Sequence, residues 1–64
     1  MKEYMSTEEI RQELNISRWK VQQVRDYMRT RIGKPGGFAS NCIIMKGKAL
    51  RMKYVDFIRA AEEL

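Results

Sequence analysis

Two helix N-caps separated by a short interval constrain the fold of this chain more than any other feature of its sequence. Ser6 is followed three residues later by Glu9, the pattern of a capping box, so a helix is predicted to begin at Thr7. Ser17 is a second good N-cap and stands directly before another helical stretch. Because Asn15 interrupts the apolar pattern between them, the two helices must be joined by a very tight turn. The arrangement predicts a helix-turn-helix unit.

Each predicted helix has one apolar side. In the first helix, Ile10 and Leu14 are four residues apart and define a buried stripe. The second helix is predicted to run from Arg18 to about Arg29 or Ile32. Its inward positions are Val21, Val24 and Met28.

A glycine-rich segment separates the helical half of the chain from the half with β-type patterning. Gly33, Pro35, Gly36 and Gly37 lie within five positions, and neither a helix nor a strand tolerates such a cluster. The segment lacks the spacing of a nucleotide-binding loop and does not follow a strand. We therefore expect a flexible connector here.

Beyond this segment the pattern predicts a hairpin and a closing helix. The run from Asn41 to Met45 is a strand, Lys46-Gly47 is suited to a tight turn, and Leu50 to Met52 alternates as the partner strand. A helix follows from Lys53 or Tyr54. Its predicted apolar side comprises Val55, Ile58 and Ala61, with Phe57 and Leu64 beside them. Near the N-terminus, Tyr4 and Met5 fit either an edge strand or a hydrophobic staple.

These elements predict an α+β fold, a winged helix-turn-helix, in a single domain covering residues 1–64. With no histidine and one cysteine, the chain cannot assemble a metal site or a catalytic triad, so we expect no enzyme, no cofactor and no small-molecule substrate. The apolar flanks of Cys42 predict a buried thiol in a reducing compartment. Without a signal peptide or a membrane-spanning stretch, we expect a cytoplasmic protein that does not enter a membrane.

Charge and the second helix together point to a polyanion as partner. Thirteen Lys and Arg against eight Asp and Glu give a net charge of +5, which fits DNA binding and also simple solubility. On a helical wheel, Gln22, Gln23 and Asp26 point away from the apolar side. Gln can bind adenine and Arg can bind guanine, so this face suits the major groove of DNA. An ordinary solvated helix face is the alternative for either glutamine alone.

Trp19 lies on the same outer face, where it either folds against the wing or the N-terminal segment, or contacts a phosphate or a partner.

At the hairpin tip, Lys46 and Lys48 flank Gly47, which suits a wing on DNA, although edge strands also carry lysine to prevent aggregation. The predicted DNA-binding residues are Arg18, Trp19, Lys20, Gln22, Gln23, Arg25, Arg29, Lys46, Lys48 and Arg51. The acidic residues gather near the chain ends and on the first helix, which predicts a polarised molecule.

Several motifs resemble the small excisionases of conjugative transposons and phages, a family within the winged-helix superfamily. The opening Tyr4 to Glu9 matches their aromatic residue, polar cap and acidic pair. The segment Asn41 to Lys48, followed by Leu50 to Lys53 and then Phe57, looks like their wing and last helix. The resemblance implies binding to repeated sites near an attachment site and bending of the double-stranded DNA to help an integrase in excision. It also implies an integrase or further copies of the protein as partners.

Two other functions remain open from the residues alone. A phage or plasmid transcriptional regulator would use the same surface of the same fold. A protein-interaction module would instead anchor a partner through Trp19 with the neighbouring Tyr27 and Met28, because aromatic and methionine side chains dominate such interfaces.

Overall fold

Three helices and a three-stranded antiparallel sheet form the fold in a computed structural model, which describes residues 2–64. The α+β class predicted from the sequence is confirmed. In chain order the elements are β1 (Tyr4–Ser6), α1 (Thr7–Leu14), α2 (Arg18–Thr30), a 3-10 turn (Ser40–Cys42), β2 (Ile43–Lys46), β3 (Ala49–Lys53) and α3 (Tyr54–Glu63). Within the described residues, no helix combines the length and the apolar character needed to cross a bilayer.

Both predicted N-caps are confirmed. The Ser6 hydroxyl accepts from the Glu9 amide at 3.2 Å, and the Ser6 amide donates to the Glu9 carboxylate at 3.0 Å, which completes the capping box. Between the helices, Asn15 adopts the left-handed conformation with φ 54°, a common way to end a helix abruptly. Ser17 then accepts from the Lys20 amide at 3.1 Å. The tight turn therefore follows from local hydrogen bonding.

The sheet has the strand order β1-β3-β2, so the N-terminal segment is an edge strand, one of the two predicted alternatives. Met52 of β3, the central strand of the sheet, is opposite both Met5 and Ile43. Gly47, with φ 65°, forms the turn between β2 and β3. The predicted strand begins too early, because Asn41 and Cys42 belong to the 3-10 turn that precedes β2.

The core lies between the inner face of the sheet and the three helices. Its buried side chains are Met5, Ile10, Val21, Val24, Met28, Phe38, Cys42, Met52, Phe57 and Ala60. The burial predicted for Cys42 is confirmed, and this burial raises the pKa of its thiol. The predicted apolar side of α3 is wrong for Val55, which is 70% exposed. Phe57 and Ala60 define the buried side, and Val55 lies about 200° from Phe57 around the helix.

The glycine-rich segment is a closed, hydrogen-bonded loop and not the flexible connector that its composition predicts. The Gly33 amide donates to the Phe38 carbonyl, and the Phe38 amide donates to the Arg31 carbonyl, both at 3.1 Å. The Phe38 side chain is only 4% exposed and reaches the core. Arg59 of α3 stacks over the Phe38 ring at 4.1 Å and donates to the carbonyl of Gly37. One buried aromatic side chain and one arginine thus anchor the loop to α3.

Candidate nucleic-acid interface

The outer face of α2 presents polar side chains on a helix whose other side is fully buried. Val21, Val24 and Met28 have no exposed surface, as the helical wheel predicts. Gln22 and Gln23 are exposed on the opposite side. The buried side holds the helix in place, so the two amides are presented to solvent from a firmly packed element.

Trp19 extends this outer face near the start of α2. Its side chain is 68% exposed, so it does not fold against the hairpin or the N-terminal segment. Single exposed apolar side chains are normal on protein surfaces, as the 70% exposure of Val55 also shows. The exposure of Trp19 leaves the side chain accessible for the other predicted alternative, contact with a phosphate or a partner.

The basic residues of α2 differ in how freely they can reach a ligand. Arg29 is exposed, and Lys20 is half-buried. Arg18 is largely exposed but donates to the carboxylate of Glu8 at 2.8 Å. Only 22% of the Arg25 side chain is exposed, so it offers less surface than Arg18 or Arg29.

The hairpin tip carries two of the predicted cations, whereas a third lies elsewhere. Lys46 and Lys48 are exposed on either side of Gly47. Arg51, in the middle strand, donates to the Glu9 carboxylate at 3.0 Å and is half-buried. Arg51 thus lies within β3 and contacts Glu9, not at the hairpin turn itself, and no pattern in the sequence predicts this contact.

The predicted separation of acidic from basic residues is wrong in detail. Glu8 of α1 binds Arg11 as well as Arg18, and Glu9 binds Lys2 as well as Arg51. At the other end of the chain, Glu63 accepts from Tyr27 at 2.8 Å and lies 3.9 Å from Arg59. Acidic side chains of α1 therefore contact arginines of the basic middle of the chain, and Glu63 of α3 contacts α2 through Tyr27.

The Glu9 carboxyl is a strongly perturbed acid. Its hydrogen bonds to the Lys2 ammonium and to the Ser6 amide lower the pKa of the Glu9 carboxyl from 4.5 to about 2. The carboxylate is thus the form that the folded state stabilises. The same group caps α1 and ties β1, α1 and β3 together.

This shift predicts acid sensitivity that depends on Glu9. A carboxyl whose pKa is lower when folded contributes stability above its ordinary value of 4.5, and this contribution is lost as the pH falls through about 2. We expect Glu9→Gln to be less stable than the parent at pH 6 and to lose less stability on acidification. Urea unfolding from pH 6 to pH 2 measures both, with Glu13→Gln on the same helix as the matched control. Parallel pH profiles for the parent protein and Glu9→Gln would contradict the assignment.

Comparison with known proteins gives no assignment: no protein family, curated protein or solved structure matches this chain. Among residues 2–64, no group of three acidic, cysteine or histidine side chains is placed to hold a metal ion. Function must therefore be inferred from the chemistry of the protein's own surfaces.

Proposed function

We propose that the protein binds double-stranded DNA as a winged helix-turn-helix domain, with α2 as recognition helix and the β2–β3 hairpin as wing. The observation that carries the proposal is the exposed pair Gln22 and Gln23 on a helix whose opposite side is fully buried. The side-chain amide of a glutamine can donate one hydrogen bond to adenine and accept another from it in the major groove. A net charge of +5 supplies the attraction to phosphate.

The dimensions of α2 suit this role. Its thirteen residues span about 20 Å at 1.5 Å per residue, and an α-helix fits the major groove, which is about 12 Å wide. The N-terminus of α2 also carries partial positive charge from its amides, which favours a nearby phosphate. Arg18 would exchange its contact with Glu8 for one with phosphate.

The hairpin supplies the second contact. Lys46 and Lys48 are exposed around Gly47, where the absence of a side chain permits close approach to a DNA backbone. A helix in the major groove and a basic turn on adjacent phosphates would fix the orientation of the protein on the duplex.

The finer role that we propose is that of an excisionase-like architectural factor, which binds and bends DNA beside an attachment site to help an integrase. The resemblance of the Tyr4 to Glu9 and Asn41 to Lys53 segments supports this role. A phage or plasmid transcriptional regulator using the same surface is the alternative. Excision assays with the integrase and promoter-reporter assays distinguish the two roles.

The surface residues favour DNA over the protein-interaction module. Of its three proposed anchors, Met28 is fully buried and cannot contact a partner. The Tyr27 hydroxyl is bound to Glu63, a hydrogen bond that raises the pKa of the tyrosine. Trp19 remains as a single anchor, whereas interfaces usually combine several.

Salt dependence tests the proposal. Contacts to several phosphates release counterions, so the affinity for a duplex is expected to fall by orders of magnitude between about 50 and 200 mM salt. Fluorescence anisotropy with labelled duplexes, both random and derived from a mobile element, measures this fall. A flat salt response, or no binding at low salt, would contradict the proposal.

A further inference from the structure

A cleft crosses the outer face of the sheet. Along β1 and β3, Met5 and Met52 point into the core, so their neighbours Tyr4 and Arg51 point to the outer face. The cleft has a volume of about 240 Å³. Its lining residues are Lys2, Tyr4, Ile44, Lys46 and Arg51.

The apolar walls of the cleft are held in place by the fold. The Tyr4 hydroxyl donates to the carbonyl of Asn41 at 3.0 Å, which draws the side chain from β1 across the sheet towards the start of β2. Ile44 lies directly opposite Arg51 in the strand register. The cleft therefore combines two ordered apolar side chains with cationic neighbours.

The cations of the cleft already bind a carboxylate in the structure. Lys2 and Arg51 both contact the Glu9 side chain, at 2.5 Å and 3.0 Å. Lys46 forms no ion pair with any other residue in the described part of the chain. The lining thus has three cations, of which two share one carboxylate, and this leaves the cleft with a net positive charge.

We propose that this cleft docks an acidic segment of a partner protein, in which carboxylates alternate with aliphatic side chains. The carboxylates would contact Lys46 and share Lys2 and Arg51 with Glu9, and the aliphatic side chains would pack on Tyr4 and Ile44. The volume is below the roughly 300–1,000 Å³ of sites for drug-sized ligands, and it suits individual side chains.

A DNA duplex matches this cleft less well than a peptide does. A nucleic-acid backbone offers only sugar carbons between its phosphates to cover Tyr4 and Ile44, and a duplex is too broad to enter a cleft of about 240 Å³. The helix α2 packs on α1 and α3, whereas the cleft lies on the sheet face directed away from the core. Apart from Lys46, which also flanks the turn of the proposed wing, the lining residues would therefore remain accessible while α2 occupies a groove.

A titration with a defined peptide tests the proposal. The probe is a capped peptide of alternating glutamate and leucine, and its control replaces every glutamate by glutamine. We expect the acidic peptide to shift the amide resonances around Tyr4, Ile44 and Arg51. The glutamine peptide should bind about tenfold more weakly or worse, since it forms no charge-assisted hydrogen bonds. Equal binding of the two peptides would overturn the proposal.

Two substitutions and a competition experiment locate the site. Ile44→Glu and Lys2→Ala should each weaken peptide binding, whereas Lys34→Ala, which removes an exposed cation outside the cleft, should not. Thermal unfolding checks that each variant is folded. If Ile44→Glu does not fold, Lys2→Ala still tests the site. Binding that persists beside a saturating duplex supports the proposal. Displacement of the peptide by the duplex, with shifts at Tyr4 and Ile44, would assign the cleft to nucleic acid and overturn it.

Discussion

Replacement of Gly37 by alanine is expected to lower the free energy of unfolding by about 3 kcal/mol, because overpacking a closed site forces the backbone to move. A Cβ atom at this position would overlap the backbone carbonyl oxygen of Arg31 and lie 3.0 Å from that of Lys34. Both carbonyls are hydrogen-bonded within the loop, to the amides of Phe38 and Gly37. Neither can therefore move without opening the loop.

The loss matters because the domain is small. A chain of 64 residues has a total stability of roughly 3–10 kcal/mol. Opening the loop would also withdraw Phe38 from the core and separate Arg59 from its carbonyl partner. Urea denaturation followed by circular dichroism measures the change.

Gly36→Ala is the matched control for this prediction. Gly36 has φ 71°, so alanine is strained there, but the space around it is open. Its expected cost is about 1 kcal/mol, the penalty of the left-handed conformation. Equal losses for the two variants would contradict the role of close packing at Gly37.

The second large effect concerns the exposed face of α2. We expect Gln22→Ala combined with Gln23→Ala to remove most of the preference for a specific site over random DNA. The difference in binding free energy between the two should fall by about 1–3 kcal/mol for each base that is no longer recognised. Affinity for random DNA and its salt dependence should remain almost unchanged, since glutamine carries no charge. Competition between specific and random duplexes, measured by anisotropy, gives the preference directly.

A complementary pair of substitutions separates the effect of charge from that of base recognition. Arg29→Ala combined with Lys48→Ala should weaken binding to all duplexes alike and reduce the slope of log affinity against log salt by about two. Gln12→Ala, on the exposed side of α1, is the control that should change neither property. The same loss of preference in the Gln12 control as in the Gln22 and Gln23 variant would contradict the assignment of α2.

Local signals account for the parts of the fold that the sequence predicts well. Capping at Ser6 and Ser17 depends on residues three positions away, so the sequence alone predicts where both helices begin. The orientation of α3 depends on packing against α2 and β3, and its pattern is ambiguous because apolar residues occur on several sides. For this reason the pattern places Val55 inside, whereas the structure exposes it.

The glycine-rich loop and the ion pairs depend on contacts between distant residues, which the sequence does not predict. Composition predicts a flexible segment at 33–37, but Phe38 buries itself and Arg59, more than twenty residues away, holds the loop. The exposed face of α2 follows from helical geometry alone. The contacts of Glu8 with Arg18 and of Glu9 with Arg51 are tertiary, so the sequence could not show that these arginines have partners.

The most direct test of the proposed function is a chemical-shift titration of the isotopically labelled protein with a DNA duplex. We expect the largest changes along the outer face of α2, at Trp19, Gln22 and Gln23, with a second group around Gly47. Resonances of the opposite, buried side of α2 and of Tyr4, Ile44 and Arg51 on the outer sheet face should change little. Changes confined to surfaces other than α2, or none at low salt, would contradict the account.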